Sequence, residues 1–364
     1  MMAEREVVDF LLGRGLLSPK AIVDGDLSIY DVSRRNRNFK LVSHGGPSFL
    51  VKQGFDREGR ATLANEAAVY EALAANGARV RRFLPELHAH EPDRGLLVLE
   101  LVTDARTLTE HQSRGRFSTG VAAGVGRALG ALHSESGDLP EDARRYAVLP
   151  FGLSVHRPAV AWLRDLSAAN VELIKRLQGA AGLVESLEEV RSEWRPECIV
   201  HNDYKSENCM VVRAADGRGT GVRLVDWEAG GWGDPGWDVG SVLGDYLSIW
   251  LSSIPITGAE PPARWPELAR FPLERMRPAL RSFWDGYARS AGLDATAADR
   301  MLVRATRFSS ARLLQTAFET TQASTQITGT VMCLCQVALN VLRRPHEAAV
   351  RLLGIPLRGS VAAA

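Results

Sequence analysis

The chain has 364 residues, 45% of them apolar and 24% charged, with a formal net charge of +1. That length exceeds one ordinary core and suffices for two lobes, and the balance is that of a globular protein. The near-neutral charge leaves no electrostatic footprint for nucleic acid or an anionic membrane. The start, Met1 to Phe10, sets acids in a helical pattern and lacks the basic flank and apolar run of a signal peptide. The longest apolar stretch, 331–342, is too short to span a bilayer and holds Gln336 and Asn340. Four cysteines (Cys198, Cys209, Cys333, Cys335) show neither metal-ligand spacing nor a disulfide framework, so a reduced cytoplasm is the expected setting.

In chain order, 27–30 and 39–43 read as strands, His44-Gly45-Gly46-Pro47 as a turn and 49–52 as a third strand. An amphipathic helix follows over 62–75 and stops at Asn76-Gly77. Segments 84–89 and 96–101 read as strands around Glu91-Pro92-Asp93-Arg94-Gly95. The pattern predicts a small five-stranded sheet with one helix. Beyond it, helices are expected over 121–133, 158–177 and 183–194, and through most of the chain after about Trp237, with a last one at 347–353. One β island interrupts them at 198–200, 209–213 and 222–226, its last two strands joined by a hairpin at Ala214-Ala215-Asp216-Gly217. The Pro-rich stretch 255–266 reads as a surface loop. A boundary near 102–106 divides a β-rich front, 1–102, from an α-rich back, 103–364. The expected fold class is therefore α+β and bilobal.

The chemistry concentrates in His201-Asn202-Asp203-Tyr204-Lys205-Ser206-Glu207-Asn208. An Asp with an Asn five residues later, on a loop between a short strand and a hairpin, suits phosphoryl transfer. The Asp orients the acceptor hydroxyl, and the Asn oxygen holds Mg²⁺. Eighteen residues after Asn208 an apolar strand ends in Asp226, a second oxygen ligand for a metal that prefers oxygen and keeps waters. Upstream, Lys52 ends the third strand and Glu66 lies fourteen residues on in the next helix, the order of a phosphate-gripping pair; Glu71 is the alternative if the helix register differs. Basic positions default to Arg here, with 39 arginines against five lysines. Lys52 and Lys205 therefore stand out as places that call for a compact ammonium.

These motifs resemble the aminoglycoside phosphotransferase and choline-kinase-like branch of the protein-kinase fold. The 201–208 loop resembles that family's His-Gly-Asp…Asn loop, and Asp226-Trp227-Glu228 stands where kinases carry Asp-Phe-Gly. Gly233-Asp234-Pro235-Gly236-Trp237-Asp238-Val239-Gly240 resembles its Gly-Asp-Pro-x-Trp-Asp segment, and Leu129-Gly130-Ala131-Leu132-His133 its helical Leu-Gly-x-Leu-His. The resemblance covers about 25–250. It implies a protein-kinase-like fold using ATP and Mg²⁺, with Asp203 as catalytic residue and Asn208 and Asp226 as metal ligands. Lys52 and Glu66 would clamp phosphate, Asp238 and His201 would brace the loop, and Glu100 to Val102 would be the hinge that binds adenine.

Three features depart from the family. The nucleotide loop, Ser33-Arg34-Arg35-Asn36-Arg37-Asn38, has no glycine; either its arginines, or the Ser33 and Asn36 side chains, stand in as phosphate ligands, or it is a solvated turn. Asn202 replaces the family's Gly. Lys205 stands two residues after Asp203, where small-molecule phosphotransferases resembling this chain carry His and Ser/Thr protein kinases carry Lys; a cation there stabilises the moving phosphoryl group.

Trp227, Trp232, Trp237 and Trp250 belong either to an acceptor groove or to the core. No acidic excess marks the back lobe, which disfavours polycationic aminoglycosides as acceptors. The segments 237–250 and 311–319 resemble kinase-like proteins of class V lanthipeptide and thioamitide biosynthesis. That closer resemblance implies phosphorylation of Ser/Thr on a ribosomally synthesised precursor peptide, followed by elimination by a partner lyase. Two rivals stand beside it: a small-molecule kinase acting on an antibiotic or metabolite alcohol, and a pseudokinase scaffold that binds a leader peptide or lyase.

Overall fold

The structure, a computed structural model, describes residues 3–33, 37–141, 144–159, 166–213, 219–256 and 260–359. It opens with helices α1 (Glu4–Gly13) and α2 (Pro19–Val23). Strands β1 (Leu27–Asp31), β2 (Arg37–Ser43) and β3 (Phe49–Gln53) lead to helix α3 (Arg57–Asn76), which starts where Asp56 accepts the Gly59 N–H at 2.7 Å. Strands β4 (Leu87–Glu91) and β5 (Leu96–Glu100) complete a five-stranded antiparallel sheet of order β1-β2-β3-β5-β4.

The alternation of side chains along each strand decides what this sheet packs against. Phe39, Leu41, Val51, Leu96 and Val98 point to one face and pack on Val7 and Leu11 of α1. Leu97 and Leu99 point to the other and pack with Leu63, Ala67, Tyr70 and Leu73 of α3. The expectation of one helix on the sheet is thus corrected: a second, α1, covers the outer face, because the β3 and β5 residues on that side are as apolar as those within. Ahead of β4, Val80–Phe83 forms a 3-10 turn, so that strand begins later than expected.

The remainder forms the helical lobe. Strand β6 (Arg106–Thr107) precedes helices α4 (Leu108–Gln112), α5 (Thr119–Ser136), α6 (Ala168–Gly179) and α7 (Leu183–Ser192). The helix expected at 158 starts at Ala168, where Ser167 caps it by accepting the Asn170 N–H at 3.0 Å; residues 160–165 lie outside the described part. Strands β7 (Cys198–Val200), β8 (Cys209–Arg213), β9 (Thr220–Leu224) and β10 (Gly231–Gly233) follow. They make two sheets, not one island: β7 pairs with β10, while β8 lies between β6 and β9. The 201–208 loop separates β7 from β8, and the Gly-rich β10 takes the edge that β7 leaves open. The hairpin at 214–217 lies outside the described residues.

Four long helices close the lobe: α8 (Pro235–Ser252), α9 (Leu273–Ser290), α10 (Ala295–Thr321) and α11 (Gly329–Arg343). Within the stretch expected as a loop, Pro262–Leu268 winds into a 3-10 turn, and 257–259 lie outside the described residues. The expected last helix is a short turn, Pro345–Glu347, running into a π-helical turn, Ala348–Leu352. The whole is a bilobal, protein-kinase-like α+β fold. Among the described residues no helix is long and apolar enough to cross a membrane.

Helices α5 and α9 approach closely at glycine. An added Cβ on Gly126 would run into Phe283 O and Tyr287 N, both backbone atoms of α9. Gly126→Ala is expected to destabilise the protein by about 1–3 kcal/mol despite the better helix propensity of Ala, as read by denaturant midpoint. An unchanged midpoint would mean that the two helices are not packed this tightly.

Candidate active site

The site begins with Lys52. Register pairs it with Asn38 and Leu97, which sets its side chain on the inner face of the sheet, toward α3. There its Nζ donates to both oxygens of Glu66 (3.0 and 2.9 Å) and to Asp226 Oδ1 (2.8 Å). Lys52 is 8% exposed and Glu66 0%, so the pair is taken out of water. Burial opposes the charge on Lys52, yet the carboxylates of Glu66 and Asp226 outweigh it and push its pKa up. Burial dominates at Glu66 and raises its carboxyl above the ordinary range, against the pull of Lys52. Burial also works against the Asp226 carboxylate, but Lys52 holds it below that range. Glu71 lines a different cavity, so Glu66 is the helix partner.

The 201–208 loop hangs from Asp238, fully buried in the first turn of α8. Asp238 accepts the backbone N–H groups of His201 (2.7 Å) and Asn202 (2.9 Å) and faces His133 Nε2 at 3.2 Å. Trp237 Nε1 donates to Asn202 O at 2.9 Å. With two N–H groups aimed at one carboxylate, Asn202 takes φ = +66°, a region that Gly enters freely and Asn tolerates better than most residues. That explains how Asn stands where the resembled family has Gly.

The loop then presents Asp203, whose Oδ2 accepts from Lys205 Nζ at 3.0 Å. Asn208 Nδ2 donates to Asp203 O at 3.0 Å, which leaves Asn208 Oδ1 as the donor atom toward a cation. His201 Nε2 donates to Val225 O at 2.9 Å, and Val225 N–H to Asn208 O at 3.0 Å, so the loop and the approach to Asp226 are stitched together. Strand β9 ends at Leu224, two residues short of the expected end, and Asp226 itself sits at φ = +69°. That left-handed turn points its carboxylate, 40% exposed, at Lys52 across 174 residues of sequence.

Among the described residues no three His, Cys, Asp or Glu side chains gather about one point. An amide oxygen and one carboxylate nonetheless suit Mg²⁺, which keeps several waters and takes phosphate oxygens.

On the nucleotide side, Ser33 is engaged by its own hairpin: its hydroxyl donates to Asp31 and accepts the Asn38 N–H at 3.1 Å. Asn36, with Arg34 and Arg35, lies outside the described residues. Glu100 ends β5, its N–H donating to Glu86 O at 2.8 Å, and Leu101 N–H donates to Ser48 O at 2.9 Å. Val102 follows outside any strand, its N–H without a backbone partner among the described residues.

Beside Asp203 opens a cavity of about 300 Å³. Its walls include Leu149, Phe151, Asn202, Ala229 and Gln315. The four tryptophans do not form it: Trp227, Trp232, Trp237 and Trp250 are all buried in the core.

Several contributing residues carry no clear signal in the sequence. His133 belongs to a quoted motif, but its contact with Asp238 is not local. Asn65 Nδ2 donates to Glu228 O (3.1 Å) and Gly230 O (2.8 Å), fastening α3 to the chain after Asp226. Asp234, also in a quoted motif, shows a role the motif does not spell out: it caps α8 by accepting the Gly236 N–H at 2.8 Å, and burial lifts its carboxyl to about 6 against the pull of Arg304.

The sequence profile of the phosphotransferase enzyme family matches residues 27–289, which contain Lys52, Glu66, Asp203, Asn208, Asp226 and Asp238. The chain belongs to this family. As a member it is a phosphotransferase acting on a hydroxyl group. No curated protein matches it. Among solved structures, it is similar to a mutant aminoglycoside 2'-phosphotransferase IIIa in complex with GDP, at 11% identity over 94% of this chain and 99% of that one, with a TM-score of 0.51. It is also similar to choline kinase LicA from Streptococcus pneumoniae, at 13% identity over 91% and 99%, with a TM-score of 0.47. At 11% identity the likeness to the aminoglycoside phosphotransferase is one of fold.

Proposed function

We propose that this phosphotransferase moves the γ-phosphoryl group of ATP, with Mg²⁺, onto an acceptor hydroxyl beside Asp203. The observation that carries the reading is one lysine, Lys52, bonded to both Glu66 and Asp226 at the seam between sheet and helical lobe. Glu66 holds Lys52 for the α- and β-phosphates, and the hinge from Glu100 to Val102 takes the adenine. Asn36, and Ser33 once its hydroxyl leaves Asp31, are the loop residues proposed to meet phosphate. Asn208 and Asp226 would hold the cation, which when bound would neutralise phosphate charge. Both lysines now rest on carboxylates that the reaction needs. Lys52 would meet the phosphates and Asp226 would serve the cation once nucleotide and metal are bound. Lys205 leaves Asp203 for the moving phosphoryl group, and Asp203 becomes free to accept the hydroxyl proton. His201 and Asp238 keep the loop in place.

The acceptor we favour is a Ser/Thr hydroxyl of a ribosomally made precursor peptide, with a lyase partner consuming the phosphopeptide in the cytoplasm. Lys205 supports this choice. The cavity of about 300 Å³ favours the second reading, a small-molecule alcohol. A scaffold without activity has no use for the full set of polar groups.

The test is twofold. MgATP should raise the melting temperature in proportion to RT ln(1 + [L]/Kd), about 2.7 kcal/mol at a hundredfold excess over Kd. Labelled γ-phosphate should then appear on a Ser/Thr peptide or on one of a panel of small alcohols. No shift with any nucleoside triphosphate would sink the proposal, and label on the alcohols alone would decide for the second acceptor.

A further inference from the structure

A second carboxylate grips the active loop from below, and no motif announces it. Asp245 lies seven residues beyond Asp238 on α8, about two turns further along the same face. Its Oδ2 accepts both the Ser206 backbone N–H, at 3.2 Å, and the Ser206 hydroxyl. Ser206 opens the 3-10 turn Ser206–Asn208, in which Asn208 N–H returns to Lys205 O at 2.9 Å. Holding Ser206 therefore holds the two side chains on either side of it, Lys205 and Asn208.

Across from Asp245, α10 presents Arg312, Gln315 and Glu319 at i, i+3 and i+7, one helix face. Arg312 is 6% exposed and its Nη1 donates to both Glu319 oxygens at 3.1 and 3.2 Å. Gly244, beside Asp245, makes room for it: an added Cβ would sit 3.1 Å from Arg312 Cγ. Gln315 ties Glu319 (2.9 Å) to the Gly152 N–H (3.1 Å) and lines the cavity beside Asp203. Burial raises the Asp245 carboxyl, while the Ser206 hydrogen bonds and the Arg312 charge pull it down. The same Arg312 and Glu319 act oppositely on Lys205.

We infer that Asp245 is a positioning residue: it sets the register of the 203–208 loop through Ser206, so that Asn208 and Lys205 are presented together. The inference rests on the proposed role of Asn208 toward the cation. It predicts that loosening Ser206 weakens cation binding, whereas a merely structural Asp245 would alter stability alone.

The test uses the full chain with Mn²⁺ as probe and a non-hydrolysable ATP analogue, with bound Mn²⁺ read by electron paramagnetic resonance. Asp245→Asn should weaken Mn²⁺ binding about 10-fold or more, the scale on which groups behind metal ligands act. Nucleotide affinity measured without metal should stay within about twofold, and Asp245→Glu should recover part of the loss. Ser206→Ala, which keeps the backbone N–H, should fall between the wild type and Asp245→Asn, and it carries the test if Asp245→Asn does not fold. Mn²⁺ affinity unchanged in either folded variant overturns the inference. A wild-type protein that binds nucleotide but no Mn²⁺ overturns the role of Asn208 and this inference with it, and one that binds no nucleotide overturns the proposed function itself.

Discussion

Asp203→Asn is expected to lower phosphoryl transfer about 10²–10⁴-fold, the range of a lost general base, with nucleotide affinity nearly unchanged. Asn matches Asp in shape, and the contacts that fix the loop are made elsewhere: Asp238 to the His201 and Asn202 N–H groups, Asn208 to Asp203 O. Folding should therefore survive. Asn cannot accept the hydroxyl proton, and it no longer carries a charge for Lys205, 3.0 Å away. Lys205 is then free to reach bound phosphate earlier, so apparent affinity for ATP should hold or rise slightly. Single-turnover transfer with a saturating acceptor separates this from a binding defect, because a loss confined to the chemical step lowers kcat and kcat/KM together. Transfer at the wild-type rate would remove Asp203 from the reaction.

Much of this site is legible in the sequence because its members lie close along the chain. Asp203 and Asn208 share one loop, and Lys52 and Glu66 sit on adjacent elements, so spacing alone nearly defines each pair. Asp226 is bound to its partners by chain order: a strand after the loop has to run back beside it, and β9 does so next to β8. What stays hidden is non-local. The Asp245–Ser206 bond joins a helix to a loop 39 residues away, and nothing in either segment marks it. The pairing of β7 with Gly231–Gly233 is invisible because a Gly-Trp-Gly strand has no alternation to read. The outer helix α1 shows its helical pattern, but its partner face lies on strands whose apolar residues point both ways, and only the fold decides which side needs a cover. The left-handed turns at Asn202 and Asp226 are set by what their N–H groups and carboxylate must reach, not by local preference.

Lys52→Met tests the buried clamp itself, and its effects on stability and function can be pulled apart. Removing one member of a buried pair leaves an uncompensated charge and typically costs about 3–5 kcal/mol. Here the stranded group is Glu66, fully buried, with Tyr70 and Trp227 close by and, among the described residues, only the Trp227 N–H left to it at 3.4 Å. Burial already raises the Glu66 carboxyl, and losing Lys52 raises it further. The sign follows: a carboxyl whose folded pKa lies above its unfolded one is stabilising below the unfolded value, and that stability is lost as pH rises through the folded value. The deficit of Lys52→Met against wild type should therefore grow across the pH range above the ordinary carboxylate pKa, measured by denaturant unfolding. The double variant Lys52→Met/Glu66→Leu replaces the pair with apolar volume and should regain most of the stability. It should regain no activity, because nothing remains on β3 to meet phosphate and a lost electrostatic contact of this kind costs about 10²–10³ in rate. A single variant as stable as wild type at the upper end of that pH range would show that Lys52 and Glu66 are not paired in the folded protein. Recovery of stability together with activity would show that the pair is structural, and that the phosphates are gripped elsewhere.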